Sequence, residues 1–133
     1  QAAADRLAGM GAKAVKLAVS SAFHSRMMAP AAEEFRAAIA DVKTNPLSKP
    51  FSSNLNAKPL DPDTDLVEYL ATHLISPVRF HEEVSAMLSD GIERFVELGP
   101  NKVLTMLVKR GFKQASAMNV ENLKTLEKLK GPL

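Results

Sequence analysis

The sequence predicts an α/β fold with a largely parallel, helix-covered sheet, on two observations. Short runs in which apolar residues alternate take turns with longer runs in which they recur every three or four positions. Glycine and proline punctuate nearly every boundary between the two kinds of run.

Ala2 to Met10 reads as the end of a helix closed by Gly9 or Gly11. Residues 13–19 alternate, with Val15, Leu17 and Val19 on one face, and read as a strand. Pro30 to Val42 is helical, carrying Phe35, Ile39 and Val42 on one stripe, and Pro30 suits the first turn because its missing N–H has no helical partner there. Pro46 and Pro50 mark a loop into an extended piece, Phe51 to Leu55, and Asn56 to Asp63 is a Pro/Asp-rich turn region. Thr64 caps a helix to about Leu74, with Leu66, Leu70 and Leu74 spaced by four. Pro77 breaks it. A helix from Val78 to Ser89 buries Phe80, Val84, Met87 and Leu88, and Ile92 to Leu98 is a strand. The Gly99-Pro100 turn starts a helix through Arg110 with Val103, Leu104, Leu107 and Val108 apolar, closed by Gly111. Ala115 to Asn119 makes a short last strand, followed by a terminal helix to Lys130.

A chain of 133 residues, 46% hydrophobic and 24% charged, is one ordinary globular domain. Such a length buries roughly two-thirds of the unfolded surface. With no cysteine, a disulfide framework and a thiolate zinc site are excluded. No run of about 18 apolar residues occurs, so no membrane partner is expected. Opening on Gln1 rather than Met, the chain is expected to be a cut piece. From Lys109 onward six basic residues face Glu121 and Glu127, although the whole chain carries only +2. That basic end is a solvated helix face or a surface for an acidic partner. Nucleic acid is not expected, since no aromatics interleave the basic residues.

Chemistry points to the junction Ser20-Ser21-Ala22-Phe23-His24-Ser25, where a strand-like run gives way to a helix. Such junctions are where α/β enzymes present catalytic side chains. His24 there is a general base or a capping histidine. No G-x-S-x-G elbow or other nucleophile motif exists in the sequence, so His24 has nothing here to activate. His73 and His81, eight positions apart with Pro77 between, are no metal-ligand pair, and no metal is expected. The Gly99-Pro100-Asn101-Lys102 turn either holds an anion at a helix start or is simply tight.

Three blocks taken together carry a resemblance: Phe23-His24-Ser25 with Met28, then Ile75-Ser76-Pro77-Val78-Arg79-Phe80, then Phe95 through Thr105. The chain resembles, over essentially its whole length, malonyl-CoA:acyl-carrier-protein transacylases and the acyltransferase domains of fatty-acid and polyketide synthases. The resemblance implies that a serine takes malonyl from coenzyme A as an ester. It then passes malonyl to the phosphopantetheine thiol of acyl carrier protein, for fatty-acid biosynthesis, with no cofactor. His24 stands at the family's position for the base, and the backbone carbonyl of His73, where the family commonly has glutamine, would orient its ring. Phe23 stands where a bulky ring accompanies malonyl selectivity, if it is not a plain core aromatic.

By the same resemblance, residues 1–19 are the last helix and strand of a small ferredoxin-like subdomain, and 20–133 the C-terminal part of the larger hydrolase-like one. The family's serine elbow, glutamine motif and malonate-binding arginine would all lie upstream, in a missing N-terminal half of the same enzyme. Arg26, Arg36 and Arg79 do not match that arginine's motif. Asn101 and Met106 stand where the family usually has glycine; the asparagine should keep the turn, while the methionine is expected to crowd whatever packs at its own position. Without the upstream half, this chain is expected to be inactive and poorly stable or self-associating, with edges and apolar faces left open. The enzyme would work in a bacterial cytoplasm or an organelle. The alternatives are a docking fragment whose basic end holds the carrier without chemistry, and a polyketide-type transferase using another acyl-CoA.

Overall fold

Alanine-rich and glycine-closed, the first element α1 (Ala2–Gly9) opens the computed structural model, which describes residues 2–15 and 19–129. Gly11, at φ +79°, makes the turn out of it, with its N–H on Ala8 and the Ala12 N–H on Leu7. The strand expected over 13–19 is not found in its described part: residues 13–15 and 19 have no regular structure. Residues 16–18 of it lie outside the described residues. Alternation alone makes no strand without a neighbour to hydrogen-bond.

After a 3₁₀ turn at Arg26–Met28, α2 runs Ala29–Ile39 with Pro30 in its first turn. Its buried residue is Ala32, at 2% exposure, while Phe35 and Val42 of the expected stripe are exposed. α2 packs on α3 (Leu66–Ile75), whose Ala71 is wholly buried. Small side chains on both helices let the backbones approach. Asp65, not Thr64, caps α3: its carboxylate accepts from Val67 N and Glu68 N at 2.9 and 3.1 Å. The leucines spaced by four do not form the buried stripe, since Leu70 is exposed and Tyr69 and Ala71 are buried. Between α2 and α3 lies a small antiparallel hairpin, β1 (Ser52–Ser53) with β2 (Lys58–Pro59). Its return strand falls inside the stretch expected to be turn alone.

α4 (Phe80–Ser89) starts two residues later than expected, the Arg79 N–H being held by Asn54 O at 2.9 Å. Then β3 (Arg94–Leu98), α5 (Val103–Gly111) and β4 (Ser116–Val120) form a βαβ unit whose strands pair in parallel, Arg94 opposite Ser116 through Leu98 opposite Val120. α6 (Leu123–Leu129) closes the described chain. The core gathers Val84, Val108, Phe112 and Ala117, with Phe80, Leu88, Phe95 and Ala115 against it. Of the apolar residues of α5, Val108 is buried while Val103, Leu104 and Leu107 are exposed. The parallel sheet thus has two strands among the described residues. Solvent reaches 10462 Å² of a 14.4 kDa chain, where a compact monomer of that mass exposes about 6,800 Å². Folding therefore buries about half of the extended surface rather than the expected two-thirds.

Candidate active site

Pro77 is where the site begins. In an unbroken helix the carbonyl of His73 would accept the N–H of residue 77, but proline has none. α3 therefore ends at Ile75, and the carbonyls of its last turn are open to donors from elsewhere. Ser76 N takes part of the vacancy on His73 O at 3.3 Å. The remaining donors come from the segment after residue 19.

That segment presents His24. Its backbone N–H donates to Leu74 O at 3.0 Å, and its ring Nδ1 lies 3.2 Å from His73 O. Two contacts to adjacent carbonyls hold His24 at φ +60°, a left-handed conformation uncommon for a residue with a side chain, though histidine enters it more readily than most. Ser25 completes the turn: its hydroxyl donates to Ala22 O at 2.7 Å and accepts the Met27 N–H at 3.3 Å. The His24 side chain is exposed, and its Nε2 makes no hydrogen bond within the described residues. With Nδ1–H donated to a carbonyl, the neutral ring keeps its lone pair on Nε2, free to accept a proton. The expected pair, His24 and the His73 carbonyl, is thus brought together in space from 49 positions apart.

The His73 ring lies beside that of His24, centroids 5.1 Å apart. Burial, and secondly the neighbouring His24, hold the His73 imidazole below the usual histidine range, which disfavours its charged form. Phe23, next to His24 in the chain, is 54% exposed and belongs to no core cluster among the described residues.

Other candidates fall elsewhere. His81 stacks on Phe112, centroids 4.7 Å apart, within another cluster of side chains than His73. Arg36 bonds Glu33 and Glu68, and Arg79 bonds Glu82. The start of α5 holds no free anion site, because the Glu97 carboxylate accepts Leu104 N and Thr105 N at 3.1 and 2.8 Å. The nearby Thr105 side chain and these N–H groups hold that carboxyl below the usual range. The turn before it is the tight one: Gly99 sits at φ +131° and Asn101 at +70°. Met106, expected to crowd, is 37% exposed. Sequence reasoning missed Tyr69 and Phe51, which pack behind His73; the spacing of four between Tyr69 and His73 was the available signal.

The comparisons with known proteins give the class of protein in which this site lies. Residues 2–130 match the acyl transferase domain, and the chain belongs to that family. It is 36% identical over 118 residues to the malonyl CoA-acyl carrier protein transacylase of Bacillus subtilis, covering 88% of this chain and 37% of that protein. The solved transacylase of Clostridium perfringens superposes with a TM-score of 0.86 at 34% identity, over 96% of this chain and 40% of that one. A malonyl-transacylase solved in complex with a type II polyketide synthase acyl-carrier protein gives a TM-score of 0.84 at 30% identity, over 95% and 41%. The chain spans about two-fifths of the length of these relatives.

Proposed function

We propose that this chain supplies the general base of a malonyl-CoA:acyl-carrier-protein transacylase, and that a segment outside it supplies the serine. One observation carries the reading: His24 Nδ1 rests on the His73 carbonyl and leaves Nε2 open. A serine hydroxyl is a weak nucleophile until a positioned base takes its proton. Nε2 takes that proton as the serine oxygen attacks the malonyl thioester carbon. The carbon–sulfur bond breaks, and the imidazolium returns the proton to the departing coenzyme A thiolate. In the second half the carrier's phosphopantetheine thiol gives its proton to Nε2 and attacks the serine ester, and the serine leaves reprotonated. Every proton is handled by one ring, and coenzyme A is substrate rather than resident cofactor.

The carrier protein is acidic in this reading, and the exposed Lys109, Arg110 and Lys113 suit such a partner. The domain assignment follows the same reading: 1–19 end the small ferredoxin-like subdomain, and 20–133 belong to the large one. No helix among the described residues is long and apolar enough to cross a membrane. Bacterial relatives support a cytoplasmic rather than an organellar setting in this reading.

Malonyl transfer to holo-carrier protein, assayed with the protein that joins this chain to its serine segment, tests the proposal. His24→Ala is expected to lower kcat/KM about 10²–10⁴-fold. A variant within about threefold of the parent would overturn the role of His24.

A further inference from the structure

The transfer reaction uses the backbone of His73 and leaves its side chain without a task. That ring is half-buried, and its Nε2 is shielded from solvent with no hydrogen-bond partner among the described residues. It stacks on Tyr69, one helical turn back, with centroids 6.1 Å apart and planes 14° from parallel. Tyr69, itself buried, meets Phe51 edge-on at 6.2 Å and 86°. At the other end the His73 ring meets His24 at 5.1 Å and 55°. Four rings from three stretches of chain form one column that ends on the exposed imidazole.

Resting on the transacylase reading, we propose that the His73 side chain is a positioning residue: with Tyr69 behind it, the ring braces the His24 imidazole so that Nδ1 stays on the carbonyl and Nε2 stays aimed at the reacting hydroxyl. The need is physical. Rotation about the last torsion of a histidine is broad and roughly two-fold, and half a turn would put the Cδ2 carbon where Nδ1 meets the carbonyl, losing the hydrogen bond and turning Nε2 away. A single 3.2 Å contact on an exposed ring restrains that rotation weakly. A packed aromatic wall adds the restraint without adding charge. Charge matters here, because a second cation 5.1 Å away would oppose His24 each time it takes a proton. Burial of the His73 ring disfavours its charged form and so suits it to the role.

The brace works by shape, which separates it from proton transfer and from mere folding. In the complete transacylase, His73→Ala keeps the carbonyl and removes the wall; kcat is expected to fall about tenfold or more, with KM for malonyl-CoA changed less than about twofold. His73→Phe restores the wall without a titrating group, and is expected to return kcat to within about threefold of the parent with an unchanged pH profile. Should His73→Ala fail to fold, Tyr69→Leu, which loosens the column one ring further back, is expected to show the same loss in kcat alone. Parent-like kcat in His73→Ala, or His73→Phe as slow as the alanine variant, overturns the brace. If the parent transfers malonyl and His24→Ala does not, the transacylase reading survives that failure. A parent that transfers no malonyl overturns both.

Discussion

His24 and Phe23 are neighbours in sequence with different duties. The histidine turns back onto α3, its N–H on Leu74 and its ring on the His73 carbonyl. An L-residue at φ +60° directs its side chain where an ordinary turn would not, so backbone and ring contacts reinforce each other. On the transacylase reading, we propose that Phe23, next to His24 in sequence and 54% exposed, forms a wall for the acyl group. A wall of that size leaves little room for an α-methyl group on the substrate. Phe23→Ala in the complete enzyme is expected to raise the kcat/KM of methylmalonyl-CoA relative to malonyl-CoA by about 10-fold or more, the worth of one methyl group at 1–3 kcal/mol. Competition between the two substrates measures it; an unchanged ratio removes Phe23 from selectivity.

At the scale of elements, the break in α3 is what makes the site. Pro77 denies the His73 carbonyl its usual helical partner, and the vacancy is filled from outside by the imidazole. In Pro77→Ala the residue-77 N–H can compete for that carbonyl and draw the helix onward. Far-ultraviolet circular dichroism is expected to show a gain in helix, and kcat to fall about 10–100-fold through misplacement of the base. Retained kcat with added helix would separate the break from the reaction. Much of this was legible in the residues. Proline and glycine fixed most element ends, and the Phe-His and Ile-Ser-Pro-Val blocks carried the site because both owe their geometry to the local backbone. What was not legible depends on tertiary pairing. Residues 13–15 alternate like a strand yet have no ladder to join. Asp65 outcompetes Thr64 for the cap because its carboxylate reaches two N–H groups. The return strand at Lys58–Pro59 exists only because Ser52–Ser53 lies opposite. Of the apolar stripes expected of α2 and α5, Phe35, Val42, Val103, Leu104 and Leu107 lie exposed among the described residues, while Val108 is buried in the core.

Across the whole molecule those exposed side chains add up. The chain shows solvent about half as much surface again as a compact monomer of its mass, including Leu98 at 77% and Met27 at 80%. Apolar surface on that scale is what a neighbouring segment or partner would cover. A reaction shared with another segment demands one thing of this one: an imidazole already in the right tautomer and orientation before anything else arrives. Long-range ¹H–¹⁵N correlation spectra of the ¹⁵N-histidine-labelled protein at pH 8 report that state directly. For His24 the account predicts a proton on Nδ1, protected by the His73 carbonyl, and a bare Nε2. A His24 ring protonated on Nε2, or exchanging between the two forms, would contradict it.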